Sequence, residues 1–182
     1  MTARAPARPP TRAAAHIGRM IRVDQAGEYG ATRIYAGQVA VMGDRAPHAG
    51  EIGAMAAQEA DHLRRFDALM AERGVRPTAL QPLWSAAGFA LGAATALMGP
   101  EAAMACTAAI ETEIDRHYSQ QLDELGDTDP ELSGVIAEFR DDERAHHRAA
   151  LDAGAEKAFG YPILRGAIRL GCRLAIRLSE RV

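Results

Sequence analysis

The chain has 182 residues, 48% of them hydrophobic and 25% charged, enough for one domain with a substantial core and too few for two ordinary ones. A net charge of −3 excludes a general polyanion binder, and an aromatic content of 5% leaves little to stack on bases, so nucleic acid is not an expected partner. The two cysteines, Cys106 and Cys172, lie in apolar helical stretches without CxxC spacing, which rules out a disulfide framework and makes both small core residues. The charge is unevenly spread. No acid precedes Asp24, and residues 158–182 carry five Arg against one Glu, so the basic ends suit phosphate or lipid headgroups.

Residues 1–15 read as a disordered Arg/Pro-rich tail without the apolar segment of a signal peptide, and residues 16–182 as a single helical domain. The Arg-dominated, Ala-rich composition suits a GC-rich bacterial genome. From Arg12 onward strong helix formers dominate and β-branched runs are missing. Glycines and prolines divide the chain into six helices. The first spans about Arg12 to Met42 and ends at Gly43. The second spans about Pro47 to Arg73, ahead of Gly74. The third follows Pro82 and ends at Gly99-Pro100. The fourth runs from about Glu101 to Leu125. The fifth opens on Asp129-Pro130, an N-cap followed by an N1 proline, and reaches Ala153. The sixth starts near Pro162. The short connections favour antiparallel neighbours in an all-α bundle.

At a helical period of about 3.6 residues, four of these helices place a glutamate inside an apolar stripe. Helix one stacks Ile21, Glu28, Tyr35 and Met42. Helix two aligns Ile52, Met55, Glu59, His62 and Phe66. Helix four aligns Met104, Ala108, Glu111, Ile114, Tyr118 and Leu122. Helix five aligns Leu132, Ile136, Phe139, Glu143, His146 and Ala150. A buried carboxylate without a counter-charge is costly, so four converging ones require cations. The pattern is also a repeat: Glu28 precedes Glu59-x-x-His62 by 31 residues, and Glu111 precedes Glu143-x-x-His146 by 32. The i, i+3 spacing sets Glu and His on one face, one turn apart. Four carboxylates balance the charge of two divalent irons, and the mixed N/O donor set suits Fe or Mn. Two copies of this motif match the ligand pattern of ferritin-like di-iron proteins. The expected fold is therefore all-α, a ferritin-like four-helix bundle with two additional helices. Glu113, about 200° round the helix from Glu111, is expected to face outward, with Asp61, Asp67, Glu138 and Asp141. His48 and His147 are expected at the surface. Asp142, next to Glu143, is placed to orient a ligand histidine across the bundle.

Between Arg76 and Glu101 there is no charged residue. The stretch is Ala/Gly-rich and broken by Pro82, whereas a spanning helix needs about 20 predominantly apolar residues. The reading is a helix packed on the bundle with one face open to lipid or an apolar partner; the alternative is a wholly buried helix, with Gly88-x-x-x-Gly92 permitting close packing. Helix six repeats Arg165, Arg169, Arg173, Arg177 and Arg181 beside Ile163, Leu164, Leu170, Leu174 and Leu178, an amphipathic pattern suited to an anionic membrane interface; the alternative is an ordinary solvated face.

The segments RVDQAGEYGATRIYAGQ, QEADHLRRFDALM, GVRPTALQPLW, GFALGAATALMG, AMACTAAIETEIDRHY, FRDDERAHH and RLSERV resemble the demethoxyubiquinone hydroxylase family, over about Gly18 to Val182. One departure is Arg177, where relatives can carry an aromatic. The resemblance implies Glu28, Glu59, His62, Glu111, Glu143 and His146 as ligands of two Fe ions. It also implies O2-dependent hydroxylation of the ring of 2-polyprenyl-3-methyl-6-methoxy-1,4-benzoquinone or its quinol, as part of ubiquinone biosynthesis. The polyprenyl tail implies a membrane surface as partner and a peripheral location on the cytoplasmic side of a bacterial cell membrane. A lipid-presenting accessory protein is a further expected partner.

The family is associated with reduced nicotinamide, so NADH is the expected external reductant, although the chain has no Gly-rich dinucleotide fingerprint. Should the ends of helices one and six meet, Arg19, Arg177 and Arg181 would form a cationic pocket fit for a pyrophosphate; otherwise they hold lipid headgroups or stay solvated. His117 and Tyr118 are redox-capable side chains near Glu111. Two other functions share the ligand set: a ferroxidase or peroxide-scavenging protein of ferritin or rubrerythrin type, and a non-catalytic scaffold of a ubiquinone-synthesis complex.

Overall fold

A computed structural model describes residues 11–181 of the chain. Six helices follow one another: α1 (Arg12–Met42), α2 (Ala49–Arg73), α3 (Gln81–Leu97), α4 (Pro100–Leu125), α5 (Pro130–Asp152) and α6 (Tyr161–Ser179), with one 3-10 turn at Ala155–Lys157 between the last two. Local chemistry fixes their ends. Thr11 caps α1 by accepting a hydrogen bond from the Ala14 amide. Gly74 closes α2 in the left-handed region at φ 64°. Asp129 caps α5 through the Leu132 amide, with Pro130 at the first position. The boundaries match the sequence reading to within two residues, and the 3-10 turn was not foreseen. The tail expected to reach residue 15 gives way to helix at Arg12; residues 1–10 lie outside the described residues.

Helices α1, α2, α4 and α5 form the bundle, with α1 packed on α2 and α4 on α5. The two added helices repeat one relation: α3 lies along α1, and α6 along α4. The bundle core is divided. One apolar cluster contains Ile52, Met55, Met104, Ala108 and Ala150; the other contains Ile21, Phe66, Leu69, Leu132, Ile136 and Phe139. The glutamate layer lies between them along the same helix faces.

Helix α3 meets α1 through glycine. A Cβ on Gly92 would stand 1.9 Å from the Ile34 carbonyl oxygen, and one on Gly37 would stand 2.2 Å from that of Phe89, so these backbones approach closer than any side chain allows. Only Gly88, Gly92, Thr95 and Ala96 of α3 are buried. The side away from α1 exposes Leu83 and Leu97, and Phe89 and the C-cap Met98 are also exposed. Helix α3 is thus packed along one edge and open on the other.

Two sequence expectations are corrected at α6. Glu113 does not face solvent: it is 2% exposed and receives hydrogen bonds from Arg173 Nε and Nη2 at 2.7 and 2.8 Å, and another from Arg169. Burial opposes its charge, but these arginines outweigh it and hold the carboxyl below the usual range. A search for one apolar stripe per helix misses it because α4 is covered on two sides, by the bundle and by α6. The arginine stripe of α6 accordingly does not form one outward face. Arg169 and Arg173 turn to Glu113, while Ile163, Leu170 and Leu174 are exposed.

The glycine contact yields a paired prediction. Gly92→Ala destabilises the protein by about 1–3 kcal/mol, because α3 must move off α1. Gly53→Ala, on an exposed face of α2 with open space around its Cβ, stabilises it by about 0.5–1 kcal/mol. Denaturant midpoints of the two variants check both signs.

Candidate metal centre

The repeat becomes a single site in three dimensions. Glu28, Glu59, His62 and Glu143 converge so that one ligand atom of each lies within 4.8 Å of the others, and Glu59, Glu111, Glu143 and His146 do the same. Glu59 and Glu143 belong to both groups. His62 Nδ1 stands 3.3 Å from Glu143 Oε1 and 3.6 Å from Glu28 Oε2; His146 Nδ1 stands 3.2 Å from Glu59 Oε1 and 3.3 Å from Glu143 Oε2. All six side chains are buried.

The hydrogen bonding divides these atoms by role. Both oxygens of Glu59 and of Glu143, Oε2 of Glu28 and of Glu111, and Nδ1 of each histidine are buried without a hydrogen-bond partner. The remaining polar atoms are engaged. Glu28 Oε1 accepts from the Tyr118 hydroxyl and Glu111 Oε1 from the Tyr35 hydroxyl, the latter at 2.8 Å. His62 Nε2 meets Asp142 Oδ2 at 3.2 Å, and His146 Nε2 meets Gln58 Oε1 at 3.0 Å. A buried polar group without a partner is expensive, and here the unpaired atoms face one another. Two central carboxylates offer two oxygens each, two outer ones offer one each, and each imidazole offers one nitrogen. That set fits two divalent cations, one for each group, with Glu59 and Glu143 common to both. No thiol takes part: the Cys106 thiol is pushed up by burial outside either group.

The electrostatics agree. Burial raises the carboxyls of Glu59 and Glu111 well above the usual range and that of Glu143 as well, with repulsion among the four glutamates adding to the rise. Burial works against charge on His62, but the Glu143 and Glu28 carboxylates, 3.3 and 3.6 Å from Nδ1, outweigh it and raise it to about 10. Burial lowers His146. Burial and the neighbouring carboxylates raise Tyr35 and Tyr118 well above the ordinary phenol, so both are neutral donors.

Of the other expected residues, Tyr118 reaches Glu28, and Asp142 orients His62. His117 instead turns to Asp24 Oδ1 at 3.3 Å and Gln121 at 3.0 Å. Arg19 lines a polar cleft of about 300 Å³ with His16, Glu124 and, from beyond α6, Glu180. The ends of α1 and α6 therefore meet, but Arg177 and Arg181 are exposed and not part of that lining. Sequence reasoning did not single out Tyr35, Gln58 or Asp24. The repeat carried signals for two of them: Tyr35 follows Glu28 by seven residues as Tyr118 follows Glu111, and Gln58 precedes Glu59 as Asp142 precedes Glu143. Asp24 is 2% exposed, and its carboxyl is raised by burial against the pull of His117.

Beside the cluster lies a mostly apolar cavity of about 550 Å³ between α1, α3, α4 and α6. Glu28, Tyr118, Asp24 and His117 form its polar end, and its lining extends to Leu91 and Leu174.

The family model described as ubiquinone biosynthesis protein COQ7 matches residues 15–179. The chain is 54% identical over 169 residues to a 3-demethoxyubiquinol 3-hydroxylase of Rhodospirillum rubrum, covering 93% of this chain and 80% of that protein. It is 53% identical over 172 residues to the human mitochondrial NADPH-dependent 3-demethoxyubiquinone 3-hydroxylase, covering 92% and 79%. It is 43% identical to the mitochondrial 5-demethoxyubiquinone hydroxylase of Saccharomyces cerevisiae, covering 93% and 79%.

The crowded carboxylates give the metal-free protein a distinctive pH response. Glu59, Glu111, Glu143 and His62 all bind protons more tightly folded than unfolded. Their contribution is full below the unfolded values and lost as pH rises through the folded ones. His146 is shifted the other way, and above about pH 7 it is neutral in both states. The thermal midpoint of chelator-treated protein therefore falls between about pH 7 and about pH 8.5, and that of protein loaded with a divalent metal does not. A flat metal-free profile would contradict this electrostatic reading.

Proposed function

The chain belongs to the COQ7 family of ubiquinone biosynthesis proteins, and from that premise we propose that it is an O2-dependent monooxygenase. Its substrate is the ring of 2-polyprenyl-3-methyl-6-methoxy-1,4-benzoquinone or its quinol. Glu28, Glu59, His62, Glu111, Glu143 and His146 would hold two irons, which supply the O2-activating redox chemistry that no side chain here possesses. The observation that carries the reading is the apolar cavity that begins at Glu28 and Tyr118 and passes between the two added helices. A ferroxidase would use the same six ligands but has no need of such a cavity, and a scaffold needs neither.

The protein's own groups have separable tasks in this reaction. Tyr118 and Tyr35 fix the outer carboxylates, Glu28 and Glu111, and leave one oxygen of each free for metal. Asp142 and Gln58 set the histidine rings so that Nδ1 faces inward. The apolar walls exclude water and seat the quinone ring against the polar end of the cavity. There Asp24 Oδ1 stands 3.3 Å from His117 Nε2. The polyprenyl tail follows Leu91 and Leu174 outward between α3 and α6.

The exposed apolar side chains fit a membrane-facing surface. Leu97 is 76% exposed, Phe159 94%, Ile163 79% and Leu170 67%, and among the described residues no helix is long and apolar enough to cross a membrane. Peripheral attachment to the cytoplasmic side of a bacterial membrane delivers the tail to the cavity mouth, and a lipid-presenting accessory protein would act at the same face. The electrons come from outside the chain. Reduced nicotinamide is the donor class, and the human relative's name specifies NADPH. Arg19 marks one candidate contact for it.

The direct test incubates iron-loaded protein with a short-tail demethoxyubiquinol analogue, reductant and isotopically labelled O2. One labelled oxygen in the quinone ring is expected, and Glu143→Ala loses both iron and product. Iron oxidation without ring oxygen would establish the ferroxidase instead. For the surface, the triple variant Leu97→Glu, Ile163→Glu, Leu170→Glu binds anionic vesicles at least about tenfold more weakly and loads iron normally. Unchanged vesicle binding would move the docking face elsewhere.

A further inference from the structure

The ligands of the two halves and the residues that hydrogen-bond to them match pairwise except at one point. Glu28 is held by Tyr118 and Glu111 by Tyr35, each glutamate by the tyrosine of the opposite half. Glu59 and Glu143 are shared. Each histidine is braced by the residue that immediately precedes the other half's Glu-x-x-His. Behind His62 that residue is Asp142, a carboxylate at 3.2 Å from Nε2; behind His146 it is Gln58, a neutral amide at 3.0 Å.

We infer that the two metal positions are unequal, the one formed by Glu28 and His62 binding a divalent cation more tightly than the one formed by Glu111 and His146. An Nε2–H that donates to a full negative charge leaves more electron density on Nδ1 than one that donates to an amide oxygen, so His62 is the stronger donor. Asp142 also adds a negative charge on that side of the site, where Gln58 offers only a dipole. Such outer partners are worth about 10–100-fold in metal affinity. The tight position is also the one beside the cavity, because Glu28 lines it and Glu111 does not. The metal nearest the bound ring is therefore the retained one, and the distal position exchanges first. Asp142 is a positioning residue in this scheme: it acts through His62.

This inference rests on the two-metal reading of the cluster, and the test separates the two. The full chain is loaded with Co(II), challenged with a graded chelator until about one equivalent remains, and crystallised; anomalous scattering then gives the occupancy of each position. Cobalt favours the Glu28/His62 position by at least about tenfold in the wild type. Asp142→Asn brings the two occupancies close to parity. Asp142→Asn combined with Gln58→Glu moves the charge to the other half and inverts the preference. In solution, Asp142→Asn weakens the tighter step of Co(II) binding by about 10–100-fold and spares the weaker one. Equal wild-type occupancies would overturn the inference, as would a preference that survives Asp142→Asn. Cobalt at neither position would overturn the metal reading itself and this inference with it.

Discussion

Glu28, Glu59, Glu111 and Glu143 are each 1% exposed or less, between two apolar clusters that offer them no counter-charge. Two histidines cannot neutralise four carboxylates, and one of the two, His146, is itself pushed toward its neutral form. The rest of the bundle makes sense around that deficit. Every polar atom of the six residues that can be satisfied from outside the cluster is satisfied there, by Tyr35, Tyr118, Gln58 or Asp142. What remains unpaired points inward. A fold that sacrifices stability in this way suits a site where bound cations would recover the loss.

The added helices extend the same logic to the substrate. Glycines at 37, 88 and 92 draw α3 tightly onto α1, and Glu113 draws α6 onto α4 through Arg169 and Arg173. Both helices are thus anchored along one edge. Between them a cavity with few polar groups reaches the outer carboxylate Glu28, and on their far sides they expose Leu97, Ile163 and Leu170. Leu174 both lines the cavity and is exposed, so apolar interior and apolar surface adjoin there, where a substrate with a long isoprenoid tail would enter without its tail crossing water.

Much of this was legible in the sequence because the candidate ligands break an otherwise apolar stripe on each of four helices. A doubled Glu…Glu-x-x-His is hard to satisfy by any other means, and the six residues that it singles out converge in the structure. The helix ends were equally readable, since Gly43, Gly74, Gly126 and the Asp129-Pro130 pair act locally. What escaped depends on contacts with a second neighbour. Glu113 looked solvated because a single-face reading of α4 does not anticipate α6 on its other side. The contact of His117 with Asp24 on α1 is a pairing across 93 residues that spacing cannot reveal. Tyr35 and Gln58 were within reach: they occupy the same repeat positions as Tyr118 and Asp142.

The central proposal is that two irons would be held in one site, with Glu59 and Glu143 common to both. Mössbauer spectroscopy of protein loaded with iron-57 and oxidised in air reads this directly, because carboxylate-bridged ferric ions couple magnetically and isolated ones do not. The account predicts two irons per chain in a coupled, diamagnetic pair, with little signal from isolated ferric ions. One iron per chain, or two magnetically independent ferric sites, would contradict it.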